Sequence, residues 1–222
     1  GYGALNQQNF ATTTDNYNVG VGYSAGLSIT TGIQNALLGG VAGDSLTDAD
    51  NNVAVGYAAL TSDTLGSKSV AIGKSALQSQ NFTTATDSFN VAVGASAGLN
   101  VTTAVENTLI GSLAGDALTT GGLNVAVGFG ALTTEDTGSR NVAIGYEALE
   151  NQNSDTTNYN TAVGFQAGRN ITTGTNNTIV GGIAGDAFTT GARNTALGYA
   201  ALTSDTKGQY AVAIGYEALQ TQ

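Results

Sequence analysis

Asn52-Val53-Ala54-Val55-Gly56 is followed one step later by Ser69-Val70-Ala71-Ile72-Gly73, and close relatives of this block recur along the whole chain. With the last residue of each block as an anchor, the series runs Gly1, Gly22, Gly39, Gly56, Gly73, Gly94, Gly111, Gly128, Gly145, Gly164, Gly181, Gly198 and Gly215. The step is 17 residues, stretched to 21 before Gly22 and Gly94 and to 19 before Gly164. A longer step therefore comes every fourth coil, and the repeat is nested in cassettes 1–72, 73–144 and 145–214 with a partial one at 215–222. Self-similarity at a fixed period marks a repeat architecture whose units stack on their neighbours.

Alternation of large and small residues over each block is a strand pattern. One residue before the anchors stands an aliphatic column (Val21, Leu38, Val55, Ile72, Val93, Ile110, Val127, Ile144, Val163, Val180, Leu197, Ile214), and two residues earlier Val or Thr dominates. Three residues after the anchors every position is alanine: Ala4, Ala25, Ala42, Ala59, Ala76, Ala97, Ala114, Ala131, Ala148, Ala167, Ala184, Ala201 and Ala218. Side chains of a strand alternate between faces, so the Val/Ile and Val/Thr columns share one face and the Ala and Gly columns the other. A face of large residues suits a core, and a face of small ones suits close approach of another backbone. The predicted fold is all-β, a parallel β-solenoid of about 13 coils of 17 residues. A coil this short encloses few side chains, so the alanine column from Ala25 to Ala218 is expected to be the seam of a homotrimer.

Four residues before most anchors stands asparagine, from Asn18 and Asn35 to Asn177 and Asn194, with Ser69 and Ala211 as exceptions. Stacked asparagines hydrogen-bond along a ladder and tolerate sharp corners, which is a structural role. The extra residues of the fourth coil type, at Asn6–Tyr17, Gln78–Phe89 and Glu150–Tyr159, are expected to bulge from an otherwise smooth rod, so that deleting Gln80–Thr83 spares folding.

Composition narrows the function classes. The chain has 222 residues, a formal charge of −10, 32 glycines, and no Cys or His. Nucleic acid is disfavoured as a partner because no basic stripe exists. Thiolate metal sites, disulfides and His- or Cys-based nucleophilic catalysis are excluded by residue type. No apolar run reaches the length of a membrane helix, and the chain begins and ends inside coils, as a segment of a longer fibre would. No enzyme activity and no cofactor are implied. Paired carboxylates at Glu135-Asp136 and at Asp48 and Asp50 fall in turns that vary between cassettes and are expected to be solvated there.

Two sets of residues carry binding hypotheses. Asp44, Asp116 and Asp186 recur after Ala-Gly and are candidates for a metal, although an Asp accepting turn N–H groups accounts for them better. Tyr23, Tyr57, Phe129, Tyr146, Phe165, Tyr199 and Tyr216, each directly after an anchor, form a row suited to stacking on sugars if exposed, or to sheet packing if covered. Tyr17, Phe89, Tyr159 and Tyr210 are expected to hold the bulging turns. Ice binding is disfavoured because adjacent Thr-Thr pairs point their hydroxyls to opposite faces.

The blocks Asn52–Gly56, Ser69–Gly73 and Asn141–Gly145 resemble the head repeat of YadA-like trimeric autotransporter adhesins, over essentially the whole chain. That resemblance implies a trimer of interlocked left-handed parallel β-rolls outside the cell, presented on a surface and binding host ligands. The longer blocks, with Asn160–Gly164 and the Ala59–Thr64 and Ala201–Thr206 segments, also resemble repeats in bacteriophage tail fibre shafts. The 17-residue spacing and the absence of stalk heptads favour the fibre shaft over the bacterial adhesin head. The implied partners are two further copies of the chain and a glycan or protein receptor on the host surface.

Overall fold

The computed structural model describes residues 1–220; Thr221 and Gln222, the end of the partial fourth cassette, lie outside the described residues. The chain is an all-β parallel solenoid. Twelve three-residue strands, beginning with Val19–Val21, Ala36–Leu38 and Val53–Val55 and ending with Val212–Ile214, form one sheet in chain order. Every neighbouring pair is parallel and in register, so each column read from the sequence is a physical row along the rod. Twelve coils contribute strands, each ending at the residue before one of the anchors from Gly22 to Gly215.

The rows explain the anchors. A Cβ on any anchor from Gly1 to Gly198 would lie 2.1–2.5 Å from the carbonyl of the next anchor, and from Gly22 onwards their φ values are +127° to +146°. Backbone passes over backbone there, and only glycine has neither the atom nor the conformational penalty.

The asparagine ladder forms inside the roll. Asn35 Oδ1 accepts from the Asn52 N–H at 2.9 Å, Asn52 Oδ1 from the Ser69 N–H at 2.9 Å, and Asn107 Oδ1 from the Asn124 N–H at 2.9 Å. Except at Asn141, whose Nδ2 donates to Asn124 Oδ1, each Nδ2 also donates across the coil, as from Asn52 to the Gly66 carbonyl at 2.9 Å and from Asn177 to the Gly191 carbonyl at 2.8 Å. These bonds satisfy backbone groups in a turn region that has no regular sheet to pair them.

Two expectations are corrected by the direction of the side chains. The face pointing inward carries the middle residue of each strand, alanine in most and Leu37, Leu109 or Ile179 in the second coil type. From Leu37 onwards that middle residue, such as Ala54, Leu109, Ala126 or Ile179, is buried, and Gly20 in the first strand is partly so, while Val53, Val55, Val125 and Val127 on either side point outward. The alanine column is likewise inside its own chain: Ala25, Ala42, Ala59, Ala76, Ala97, Ala114, Ala131, Ala148, Ala167, Ala184 and Ala201 are fully buried, and Ala218 in the last coil is partly so. It is not a seam for another chain. A 17-residue coil is so thin that methyl-sized groups line it where opposite walls approach, one or two larger side chains fill what is left, and the residues flanking each middle position point outside.

Three inward positions share the remaining volume of each coil. In the first two coil types the residue after alanine is glycine, and an Ile, Leu, Val or Phe three residues later fills the space: Ile29, Leu46, Val101, Leu118, Ile171 and Phe188 are buried. A Cβ on Gly43 would lie 2.8 Å from Leu46 Cδ1 and 2.9 Å from Leu37 Cδ2. In the third and fourth types that glycine is replaced by leucine (Leu60, Leu77, Leu132, Leu149, Leu202), and the later position turns polar. Apolar and polar slabs thus alternate along the rod, two coils each.

The polar slab corrects the reading of the bulges and of the turn carboxylates. Asp63 and Glu135 are fully buried, as are Gln80 and Gln152 one coil further on. Asp63 Oδ1 accepts from the Gly66 and Phe82 N–H groups, each at 3.0 Å, and Oδ2 from Gln80 Nε2 at 2.6 Å. Glu135 repeats the arrangement with Gly138 N–H at 2.7 Å, Gln152 Nε2 at 3.1 Å and Asn158 Nδ2 at 2.9 Å. The Gly66 and Gly138 N–H groups come from the acid's own coil, and the lengthened coil brings the remaining donors inward, with Phe82 almost fully buried. Buried charge is tolerated only when saturated with hydrogen bonds, and the insertion supplies them. Gly66–Ser67 and Thr86–Asp87 pair as a second, two-stranded parallel sheet over this junction.

Candidate functional site

The strands leave their larger side chains on the outside, and this face is the most distinctive surface of the molecule. Its two columns run from Val19 and Val21 to Val212 and Ile214. Apart from Thr108, Thr161, Thr178 and Thr195 all are aliphatic, and none is charged. Leu38, Leu197 and Ile214 are 51%, 45% and 66% exposed. A strand order that never skips a neighbour makes the face continuous over all twelve rungs.

Aromatic rows border it. On one side the residues after the anchors stack along the axis: Tyr2 on Tyr23 at 5.8 Å, Phe129 on Tyr146 at 5.5 Å, Tyr146 on Phe165 at 5.4 Å, and Tyr199 on Tyr216 at 5.5 Å between ring centroids. Tyr57 stands without a stacked ring, with Gly40 at the equivalent place one coil before it. The sequence-predicted row is therefore real and exposed, and the coil rise sets its spacing.

On the other side stand Tyr17, Phe89, Tyr159 and Tyr210. They do not tuck into the turns as expected; each is exposed and holds a left-handed backbone, φ +49° to +59°. A cation from the preceding coil covers three of these rings, with Lys68 Nζ 5.2 Å from Phe89, Arg140 5.7 Å from Tyr159 and Arg193 5.4 Å from Tyr210. Lys68 also pairs with Asp87 at 2.6 Å on the surface, where such a pair adds little stability.

Near the triple stack, Arg169 reaches Glu150 at 2.5 Å and Glu147 at 3.2 Å. The hydrogen bond from Gln166 holds the Glu147 carboxyl below its ordinary range, and the Glu147 carboxylate in turn raises the Tyr146 phenol. Polar residues thus brace the ring row from its flank, while the rings cover one another's faces.

The remaining candidates are scattered. Asp44 accepts from the Thr61 hydroxyl of the next coil, and Asp116 from that of Thr133 at 2.5 Å. Asp186 has Thr203 at the equivalent position, but its Oδ1 is buried without a partner and burial raises its pKa. Among the described residues no three His, Cys, Asp or Glu side chains gather as a metal site, and no cavity opens. Asp48 binds the Thr31 hydroxyl at 2.6 Å and Asp50 the Ile33 N–H at 2.8 Å, so these two carboxylates serve separate rungs. Among the described residues no helix is long and apolar enough to cross a membrane.

Two features were missed in the sequence. The outward direction of the Val and Ile columns was hidden because alternation does not say which face is inside. The inward role of Gln80 and Gln152 had a signal, the recurrence of an acidic residue and a glutamine at matching places in successive coils. Comparison with family models, with curated proteins and with solved structures finds no match to this chain.

Proposed function

We propose that the chain is a stiff, self-associating segment of an extended fibre outside the cell, of the kind found in bacteriophage tail fibre shafts that take part in host attachment. The observation that carries this reading is the uncharged aliphatic face running over twelve rungs. With the row of Tyr17, Phe89, Tyr159 and Tyr210 at one border it measures roughly 55 Å by 15 Å, on the order of 800 Å² at ordinary strand spacings. Exposed apolar patches on single-chain proteins reach about 300–600 Å², and about 800 Å² per partner makes a stable interface.

The occupant is further copies of the same chain. Their faces have the same length and period, and parallel alignment matches aliphatic rungs along the whole rod. The count of three comes from the resemblance to trimeric adhesin heads and phage shafts. Association would complete a second apolar core outside the roll, complementing the thin one within. Stiffness follows from ladders that repeat at every coil, since opening one coil breaks contacts with both neighbours. The head of a bacterial trimeric adhesin is the neighbouring reading; a coiled-coil stalk and membrane anchor encoded beside this segment would select it.

Sedimentation of the full chain at micromolar concentration tests the proposal. Three times the chain mass is expected, falling to the monomer in a Val127→Glu/Ile144→Glu variant that keeps the β circular dichroism. A wild-type monomer, or a variant of undiminished mass, would sink it.

A further inference from the structure

The exposed aromatic row is interrupted by a single glycine in two places. Tyr23 and Tyr57 stand one coil to either side of Gly40, and Phe165 and Tyr199 one coil to either side of Gly182. The uninterrupted part of the row shows what such an interval holds. Tyr146 occupies the space between Phe129 and Phe165, with centroids 5.5 and 5.4 Å away and planes tilted by 15° and 11°. Walls two coil rises apart, about 10 Å, therefore accept one six-membered ring at stacking distance from both.

At Gly40 and Gly182 that ring is absent and the floor has no side chain. A Cβ on either glycine would touch only the flanking tyrosine, Tyr57 or Tyr199, at 3.4 Å. The walls are open to solvent: Tyr23 and Tyr57 are 63% exposed, Phe165 53% and Tyr199 51%. The middle cassette has Ala95 and Ser112 in these columns and lacks the paired walls.

We propose that the Gly40 and Gly182 intervals are binding slots, each for one pyranose ring of a neutral saccharide with all-equatorial hydroxyls. Both walls are aromatic faces, so the guest must be apolar on both sides and polar only at its edge. A glucose-configured ring meets this condition, with axial C–H bonds on both faces and hydroxyls around the rim. A galactose-configured ring puts an axial hydroxyl against one wall, where it loses water without gaining a partner. The formal charge of −10 disfavours acidic sugars. The slots belong to a single coil stack and do not depend on the association proposed above. They lie eight coils apart, about 38 Å, so one extended glycan surface engages both and weak single contacts sum.

The test is calorimetric titration of the full chain, in its native assembled form, with cellotriose and with β-1,4-galactotriose. Saturable binding of cellotriose in the millimolar range at two sites per chain is expected, at least tenfold tighter than galactotriose. The Gly40→Tyr/Gly182→Tyr variant continues the row as Tyr146 does, at positions whose φ is not left-handed, and should keep the fold and particle mass while losing the heat of binding. Undiminished binding by that variant would overturn the proposal, as would equal affinity for the two trisaccharides. Absence of saturable heat with the wild-type particle overturns it too, including the case where a ring from a neighbouring copy fills the interval. Particle mass from the same sample reports separately on self-association.

Discussion

Replacing Gln80 by leucine isolates the buried polar slab from every other feature of the rod. The Gln80 amide donates to Asp63 Oδ2 at 2.6 Å and to Ser69 Oγ at 2.8 Å, and accepts from Asn90 Nδ2 at 2.9 Å. Leucine fills much the same volume and makes none of these bonds. Two of the neighbours keep another partner, since Ser69 Oγ lies 2.5 Å from Ser88 Oγ and Asn90 still donates to the Ala104 carbonyl at 2.7 Å. Asp63 Oδ2 keeps none, and the carboxylate stays fully buried with only Oδ1 bonded, to Gly66 and Phe82. Hydrogen bonds to charged groups contribute about 1.5–3 kcal/mol, and a buried charged oxygen left with no partner costs toward the upper end of that range or above it. A local loss of about 3 kcal/mol is therefore expected, or roughly a hundredfold faster opening at 1.4 kcal/mol per tenfold. Because coils couple mainly to their neighbours, the loss should be local. Hydrogen exchange reads it directly: the Gly66 and Phe82 amides lose protection, whereas the Gly138 amide, bonded to Glu135 one cassette away, does not. Gln152→Leu should reverse the pattern. A change below about fivefold at Gly66, corresponding to about 1 kcal/mol, or an equal change at Gly138, would show that the lengthened coil is an ornament after all.

Gly128→Ala would put a Cβ 2.3 Å from the Gly145 carbonyl at φ +137°, and thermal unfolding should show a loss of more than about 3 kcal/mol or no folded particle. Val41 holds φ +51° although it is β-branched, so Val41→Asn should raise the denaturation midpoint by about 0.5–1 kcal/mol of stability; an unchanged or lower midpoint refutes the strain. Burial raises the Asp186 pKa, so the folded chain favours the protonated acid; its contribution is present below the unfolded pKa and lost as pH rises through the folded one. Asp186→Asn should accordingly lose that component of the pH dependence and be the more stable at neutral pH, whereas Asp116→Asn, which disturbs the Thr133 contact, should not be stabilised in the same urea titrations.

The period of the anchors already contained the parallel solenoid, since a step of 17 residues with glycine at one place and asparagine four residues earlier admits in-register stacking and little else. The same columns located the asparagine ladder and the row of rings from Tyr2 to Tyr216, because a row along the rod is simply a column of the alignment. Direction was beyond the alignment. Val53 and Val55 alternate with Ala54 whichever way the strand faces, and hydrophobicity alone favoured putting the valines inside. Only closure of the coil decided it: so short a turn has room for small groups such as Ala54 and Ala59 and for one or two larger ones, Leu60 or the pair Leu37 and Leu46, and the flanking valines were left to the exterior. Carboxylates were misjudged for a related reason. Glu135 looks like any turn residue until the next coil folds over it and supplies Gln152 and Asn158. The sequence by itself determined the period, the stacking and the anchors, because those follow from local sterics repeated in register. The tertiary structure alone decided inside from outside, and with it which surface is left for partners, because that depends on the distance across the coil rather than on any one strand.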